Sequence, residues 1–153
     1  MKTPSPYYAT DDVTIYRGDC LRVLPHLPAR SVDLILTDPP YGDTSLGWDV
    51  PVRRWLPLAA RCLKPSGSLW CFGSLRAFLA HAAEFRGWKL AQDVVWEKHN
   101  GSNFHADRFR RVHEHAVQFY PASARWAAIY KAPVTTDDAV KRVVRQKTRP
   151  PHM

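Results

Sequence analysis

The tetrapeptide Asp38-Pro39-Pro40-Tyr41 combines a carboxylate, two stiff residues and an aromatic ring in consecutive positions. An amino group attached to an aromatic ring is a poor nucleophile, because its lone pair is delocalised, and its hydrogens need acceptors. The Asp38 carboxylate and the carbonyl of Pro39 can each accept one of them. Because proline fixes φ, the two acceptors are held at a fixed separation that suits a nitrogen becoming tetrahedral as it attacks. Tyr41 adds a flat face on which a base can stack.

The residues before this motif predict where it lies in a fold. The apolar run Val32–Leu36 is typical of a parallel strand buried on both faces, and the strand must end at the prolines, which offer no N–H to a sheet ladder. The motif therefore lies at the carboxyl end of a strand, where ligands bind in open α/β sheets. The alternative is a proline-stiffened turn without chemistry.

The segment from Thr14 through Gly18-Asp19 to the motif resembles the start of the permuted class of DNA amino-methyltransferases, in which the catalytic half comes first. The resemblance covers residues 12–120. It implies an α/β Rossmann-like sheet with helices on both faces. It also implies transfer of a methyl group from S-adenosylmethionine to N6 of a flipped adenine in DNA. Asp38 favours adenine over N4 of cytosine, for which Ser is more usual at this position, and N4-cytosine stays the alternative.

The same resemblance assigns cofactor contacts. Asp19 matches the acidic residue that touches the adenine of the cofactor in this family, and Cys20 would offer its backbone N–H to an adenine ring nitrogen. Asp38 also belongs to this cofactor-binding set. From the residues alone, Gly18 permits a tight exit from a strand and Asp19 can cap a short helix that begins near Leu21, and the two roles are compatible.

The glycine pattern predicts an incomplete sheet. None of the seven glycines has the Phe-x-Gly-x-Gly spacing that this family places after its catalytic half, and the acidic ribose-binding position is missing too. Residues 1–125 are therefore interpreted as the catalytic half, and residues 126–153 as a basic tail or the start of a target-recognition region.

The missing half leads to a further expectation. In the family, its two strands lie between the Gly18-Asp19 strand and the catalytic strand, so Val32–Leu36 should have an unpaired edge. Three possibilities remain: the early strand pairs there directly, a second chain or a homodimer covers the edge, or the protein is a marginally stable remnant.

The charge of the chain favours an acidic polymer as partner, because the formal net charge is +8 and the sequence pI is about 9.7. Lys98, Arg108 and Arg111 are the candidate DNA contacts, and Phe104 is the candidate aromatic for the flipped base, with a core or hinge role as its alternative. A second basic cluster near the carboxyl terminus is either a DNA contact or a solvated tail. The competing function is a non-catalytic DNA-binding remnant.

The remaining patterns predict the other elements. Helices are expected over Val52–Leu63 and Leu75–Phe85, with strands over Ser68–Phe72 and Asp93–Glu97, and the glycine-bearing loop 42–49 is expected to move. The three cysteines have no spacing typical of disulfides or zinc, and no apolar run is long enough for a membrane span. These patterns predict a soluble protein of the cytoplasm, and the resemblance implies an enzyme of the restriction-modification type.

Overall fold

The computed structural model describes residues 4–102, 107 and 109–133, with the backbone alone for residues 100–102. The strands and helices in chain order are β1 (Tyr8–Ala9), β2 (Thr14–Ile15), α1 (Cys20–Val23), β3 (Val32–Thr37), α2 (Trp55–Cys62), β4 (Leu63–Gly73), α3 (Leu75–Ala80), β5 (Trp88–Ser102) and β6 (Arg111–Pro121). Short 3-10 helices span Leu24–His26, Ala82–Phe85 and Trp126–Ala128. The α/β class predicted from the sequence is confirmed.

The main sheet has the strand order β3-β4-β6-β5. β3 is parallel to β4, whereas β6 runs antiparallel to both β4 and β5. The predicted strand before the motif is β3, and its last residue, Thr37, pairs with Cys71 of β4. Within the residues that the structure describes, β3 has no strand on its outer side, so the motif follows an edge strand.

The early strand differs from the prediction. β2 ends at Ile15 and pairs with β1 in a separate two-stranded hairpin, in which Tyr8 lies opposite Ile15. The expected strand reaching Gly18-Asp19 was therefore wrong, and the early strand does not pair with β3. Asp19 instead caps α1, because its carboxylate accepts a hydrogen bond from the Leu21 N–H at 2.9 Å.

The hydrophobic core lies on one face of the sheet. Ile35, Leu69 and Phe119 are in register across β3, β4 and β6, so their side chains share that face. Leu56 of α2 packs in the same cluster, and Phe78 of α3 lies 6.2 Å from the Phe119 ring. The described helices α2 and α3 thus cover the same face, whereas the sequence resemblance implied helices on both faces.

Several element boundaries differ from the prediction for local reasons. α2 begins at Trp55 instead of Val52, because Arg54 has a φ of 64° and is not helical. The second predicted helix is divided at His81, where φ is −113° and ψ is 14°. The proline-glycine segment 64–67 does not end an element. It forms an irregularity within β4, where the partner of β3 changes from Leu63 to Ser68.

The first residues of the predicted basic tail pack on the domain. Ile129 is only 2% exposed, and the Tyr130 N–H donates to the Ser66 carbonyl at 3.0 Å. The Trp126 ring lies 5.5 Å from that of Tyr120. The domain boundary at residue 125 stays a prediction, and the tail beyond residue 133 lies outside the described residues.

The described part of the chain lacks both a membrane-spanning helix and a cluster of metal ligands. None of its helices is both long and apolar enough to cross a bilayer. The same residues contain no group of three or more His, Cys, Asp or Glu side chains placed to hold a metal ion. Cys62 and Cys71 are buried free thiols, and Cys20 is half-buried.

Replacing Leu56 with alanine should destabilise the protein by about 2–5 kcal/mol, because this side chain is 1% exposed and its removal leaves a cavity. Leu79→Ala is the matched control, since Leu79 is also helical but 70% exposed. Urea unfolding followed by circular dichroism measures both. Equal destabilisation by the two substitutions would contradict the packing of α2 described above.

Candidate active site

The motif begins directly after β3, and its aromatic and acidic residues are in contact. The Tyr41 hydroxyl donates to Asp38 Oδ1 at 2.7 Å, which fixes the ring beside the carboxylate. Burial and this hydrogen bond raise the pKa of Tyr41 above its ordinary value, so the phenol stays a donor at neutral pH. The Asp38 residue is exposed, and its other oxygen, Oδ2, can accept a hydrogen bond from a further donor.

Cys71 lies next to the motif, at the position of β4 that pairs with Thr37. It is 2% exposed, and burial together with the Asp38 charge raises the pKa of its thiol to about 12. The thiol is therefore protonated at neutral pH and is a poor nucleophile. No sequence pattern indicated that Cys71 lies beside the motif.

The loop after the motif, residues 42–49, is folded around the carboxylate of Asp49. That carboxylate accepts from the N–H groups of Gly42 and Thr44 at 2.8 and 2.7 Å, and from the Thr44 hydroxyl at 2.7 Å. Asp49 is 7% exposed, and the hydrogen bonds from Thr44 and Gly42 lower its pKa to about 2. The loop that was expected to move is thus organised by a buried charge.

Gly42 allows this loop to begin as it does. Its φ is +70°, and a Cβ atom there would approach Pro51 Cγ to 2.7 Å. Both the dihedral angle and the close approach require glycine. The chain therefore turns sharply one residue after Tyr41.

A second carboxylate joins the loop to two distant elements. Asp43 Oδ2 accepts from Arg111 Nη1 at 2.7 Å, and it also accepts a short hydrogen bond from the Ser74 hydroxyl. Ser74 precedes α3, and Arg111 is the first residue of β6. The loop is therefore fixed at the amino end of a helix and at the start of a strand.

Two of the three cations predicted to bind DNA, Lys98 and Arg111, have partners within the protein. Arg111 pairs with Asp43, and Lys98 pairs with Glu114, a residue that is 8% exposed. Phosphate binding by either residue stays a prediction. To bind a phosphate, the cation would have to leave its carboxylate partner. The other two candidates, Phe104 and Arg108, lie outside the described residues.

The histidines and the glutamate at positions 113–115 of β6 point alternately to the two faces of the sheet, as successive residues of a strand do. Glu114 is buried and paired with Lys98, whereas the exposed His113 lies with its ring 5.2 Å from that of His115. His113 and Glu114 therefore lie on opposite faces of the sheet. This arrangement does not suit an acid-base pair.

Two pockets meet at the motif. An open pocket of about 480 Å³ lies along β3 and is lined in part by Cys20, Thr37 and the two motif prolines. A smaller pocket is lined by the same prolines together with Tyr41 and Cys71. The larger volume lies in the ordinary range for ligand pockets, about 300–1,000 Å³. Cys20 therefore lines the same pocket as the motif prolines, and its predicted contact with the cofactor stays a prediction.

The family model for DNA methylase of the N6 and N4 type matches residues 32–151. The chain belongs to the DNA methylase family. A type II methyltransferase of Lactococcus lactis subsp. cremoris, M2.LlaDCHI, is 30% identical over 121 aligned residues, which cover 62% of this chain and 45% of that protein. The type II methyltransferase M.HinfI of Haemophilus influenzae is 31% identical over 129 aligned residues, covering 66% of this chain and 36% of that protein. This DNA methylase chain spans less than half the length of either relative.

Solved structures of methyltransferases share the fold of this chain. A complex of M1.HpyAVI with SAM superposes with a TM-score of 0.54 at 23% identity, covering 79% of this chain and 60% of that one. The PvuII DNA methyltransferase, described as cytosine-N4-specific, gives a TM-score of 0.57 at 21% identity and covers 76% of this chain and 53% of that one. The methyltransferase fold expected from the resemblance is therefore confirmed, and the chain represents part of it.

Asp49→Asn should lower stability at neutral pH, and the deficit should shrink in acid. The pKa of Asp49 is depressed from 3.8 to about 2 in the folded protein. The carboxylate therefore contributes stability above pH 4, and this contribution is lost as the pH falls towards 2. Urea midpoints at pH 7, 5 and 3 measure the difference between wild type and variant.

The matched control for this experiment is Asp12→Asn, which removes an exposed carboxylate in the turn between β1 and β2. Its midpoint should follow that of the wild type at every pH. A deficit in Asp49→Asn that stays the same from pH 7 to pH 3 would show that the carboxylate charge does not hold the loop.

Proposed function

We propose that this chain is the catalytic part of a DNA methyltransferase that transfers a methyl group from S-adenosylmethionine to N6 of adenine. The observation that carries the proposal is the position of the motif. Asp38 follows the edge strand β3 and is hydrogen-bonded to Tyr41, and the two prolines between them line two neighbouring pockets. A methyl transfer brings two ligands together at one point. The larger pocket can hold the cofactor, and the smaller one, of about 50 Å³, would have to widen beside Tyr41 to admit a base.

The roles of the motif residues follow from their chemistry. The Asp38 carboxylate and the Pro39 carbonyl accept hydrogen bonds from the amino group, so that its lone pair points away from them and towards the methyl group. S-adenosylmethionine, when bound, supplies an electrophilic methyl group. The nitrogen would form a bond to the methyl carbon as the bond between that carbon and the sulfonium sulfur breaks, with S-adenosylhomocysteine as the leaving group. The nitrogen then gives up one proton, which the exposed Asp38 can pass to solvent. Tyr41 stacks against the base, which must be flipped out of the duplex to reach this place.

The residues assigned to the cofactor are compatible with that role. Cys20 lines the larger pocket together with Pro39 and Pro40, and Asp19 directly precedes it. Asp19 is exposed and uses Oδ1 to cap α1, so its other oxygen can bind a polar group of the cofactor. The capping bond also fixes the backbone that would present the Cys20 N–H. Capping and cofactor binding are therefore compatible, as the sequence indicated.

Adenine is proposed as the target because Asp stands first in the motif, and N4 of cytosine is the second candidate. The family model covers both kinds of methylase. The PvuII enzyme, which has a similar fold, is described as cytosine-N4-specific. The amino groups of the two bases are alike chemically, so the choice between them depends on the shape of the pocket around Tyr41.

DNA is the proposed polymer partner, and a second polypeptide is proposed to complete the sheet. The net charge of +8 favours an acidic polymer, and action on DNA would place the protein in the cytoplasm. Leu34 and Leu36 of β3 lie on the face opposite the core-facing Ile35 and are 52% and 66% exposed. An edge strand with exposed leucines favours pairing with a further strand. A chain with the glycine-motif half would supply it, and a homodimer is the alternative.

Asp38→Ala should abolish methyl transfer, because the amino group loses its charged acceptor, while DNA affinity should stay within about twofold since Asp38 touches no phosphate in this proposal. Transfer of labelled methyl groups to DNA measures the first effect, and fluorescence anisotropy measures the second.

The control for this substitution is Asp33→Ala, which removes a 76% exposed carboxylate of the same strand that is paired with Lys64. It should leave both properties unchanged. Turnover that persists in Asp38→Ala would contradict the proposal. A wild-type protein that binds DNA strongly but neither binds the cofactor nor transfers methyl groups would support the DNA-binding remnant instead.

Tyr41→Ala should weaken the complex with a flipped base by about 1–3 kcal/mol, the scale of base-aromatic stacking. Tyr41→Phe keeps the ring and loses only the hydrogen bond to Asp38, so it should retain most of this affinity. The emission of 2-aminopurine at the target position reports flipping in both variants. Equal losses in the two variants would assign the effect to the hydroxyl and contradict stacking.

A further inference from the structure

We propose that Arg111 and Asp43 are positioning residues that hold the catalytic motif in its working geometry. This inference rests on the proposed function, because it assigns a purpose to groups that act on the motif. Neither side chain belongs to the motif. Asp43 follows Tyr41 by only two residues, however, and Arg111 reaches it from the start of β6.

The Asp43 carboxylate is enclosed and has donors on two sides. Its side chain is 8% exposed, and Oδ2 accepts from Arg111 Nη1 at 2.7 Å and from the Ser74 hydroxyl. The Ser74 hydroxyl oxygen in turn accepts from the Ala77 N–H at 3.0 Å, which caps α3. One carboxylate oxygen therefore connects the loop, the start of α3 and the start of β6.

This connection fixes the chain on the carboxyl side of the catalytic tyrosine. The Gly42 N–H is bound by Asp49, and Asp43 is bound by Arg111. On the amino side, Pro40 has a fixed φ. Tyr41 is thus held between restrained neighbours, and its hydroxyl is directed to Asp38. Loss of the ion pair at Asp43 should release the loop and, with it, the orientation of the ring.

Burial explains why arginine is placed here. A carboxylate removed from water is costly unless donors surround it, and losing its cation would leave Asp43 with the Ser74 hydroxyl alone among the contacts described above. The Arg111 side chain is itself 35% exposed and gives its Nη1 to Asp43. The Arg111 guanidinium therefore acts on the loop through Asp43. Its removal should disturb the loop directly, and any change in phosphate binding should be secondary.

The test compares Arg111→Gln, Asp43→Asn and the double variant by hydrogen-deuterium exchange without DNA or cofactor. Amide exchange in peptides covering residues 41–49 should become about tenfold faster in each single variant, as expected when a charged hydrogen bond that closes the loop is lost. The double variant should be no faster than either single variant, because both substitutions remove the same interaction. Arg111→Lys should restore part of the protection.

Two controls separate a local effect from unfolding. Exchange in peptides from β4 should stay at the wild-type rate, which shows that the domain is folded. Lys64→Gln removes an exposed ion pair with Asp33 and should leave residues 41–49 unchanged. If the wild-type chain turns over, Arg111→Gln should lower kcat about tenfold or more with the KM for DNA nearly unchanged, and Arg111→Lys should recover part of kcat.

Other results would overturn the inference. Unchanged exchange in residues 41–49 of both single variants would show that the ion pair positions nothing. Arg111→Gln could instead leave exchange in residues 41–49 normal and reduce the salt dependence of DNA binding by the equivalent of about one phosphate contact. That result would identify Arg111 as a phosphate ligand. An inactive wild type would contradict the proposed function alone, since the exchange measurement requires neither substrate nor turnover.

Discussion

The parallel pairing of β3 with β4 is the constraint on which the site depends. β3 is held from one side only among the described residues, so its register with β4 alone determines where Asp38 emerges. The pairing of Thr37 with Cys71 places the motif beside the end of β4. From there the chain passes through Ser74 into α3, and β6, the next neighbour of β4, supplies Arg111. The partners of the loop are therefore brought to it by the sheet.

The site is built from carboxylates, although the chain as a whole is strongly basic. Three carboxylates are nearly enclosed, and each has its own donors. Asp43 accepts from a guanidinium and a hydroxyl, and Asp49 accepts from N–H groups and a hydroxyl. Glu114 pairs with an ammonium group. Buried charges are weak contributors to stability, because desolvation offsets much of the attraction. Their effect here is geometric, since a carboxylate that needs several donors permits few arrangements of the loop that carries it.

The parts of the fold that sequence could predict are those with a strong local cause. β3 and the motif were identified because two prolines directly follow an apolar run, and Asp19 was identified as a cap by its residue type and position. The hairpin of β1 and β2 was missed, since pairing over two residues leaves no periodic pattern. The start of α2 depends on the dihedral angle of Arg54, and the Asp43–Arg111 pair joins residues 68 positions apart. Neither feature has a local signal.

The most direct test of the account is the identity of the base that the protein modifies. Purified protein would be incubated with labelled S-adenosylmethionine and unmethylated duplex DNA, and the DNA would then be digested to nucleosides and analysed by mass spectrometry. The account predicts N6-methyladenine as the labelled product, because Asp38 is proposed to accept a hydrogen bond from the adenine amino group. Label found only in N4-methylcytosine, or no label from a folded protein that binds both DNA and the cofactor, would contradict it.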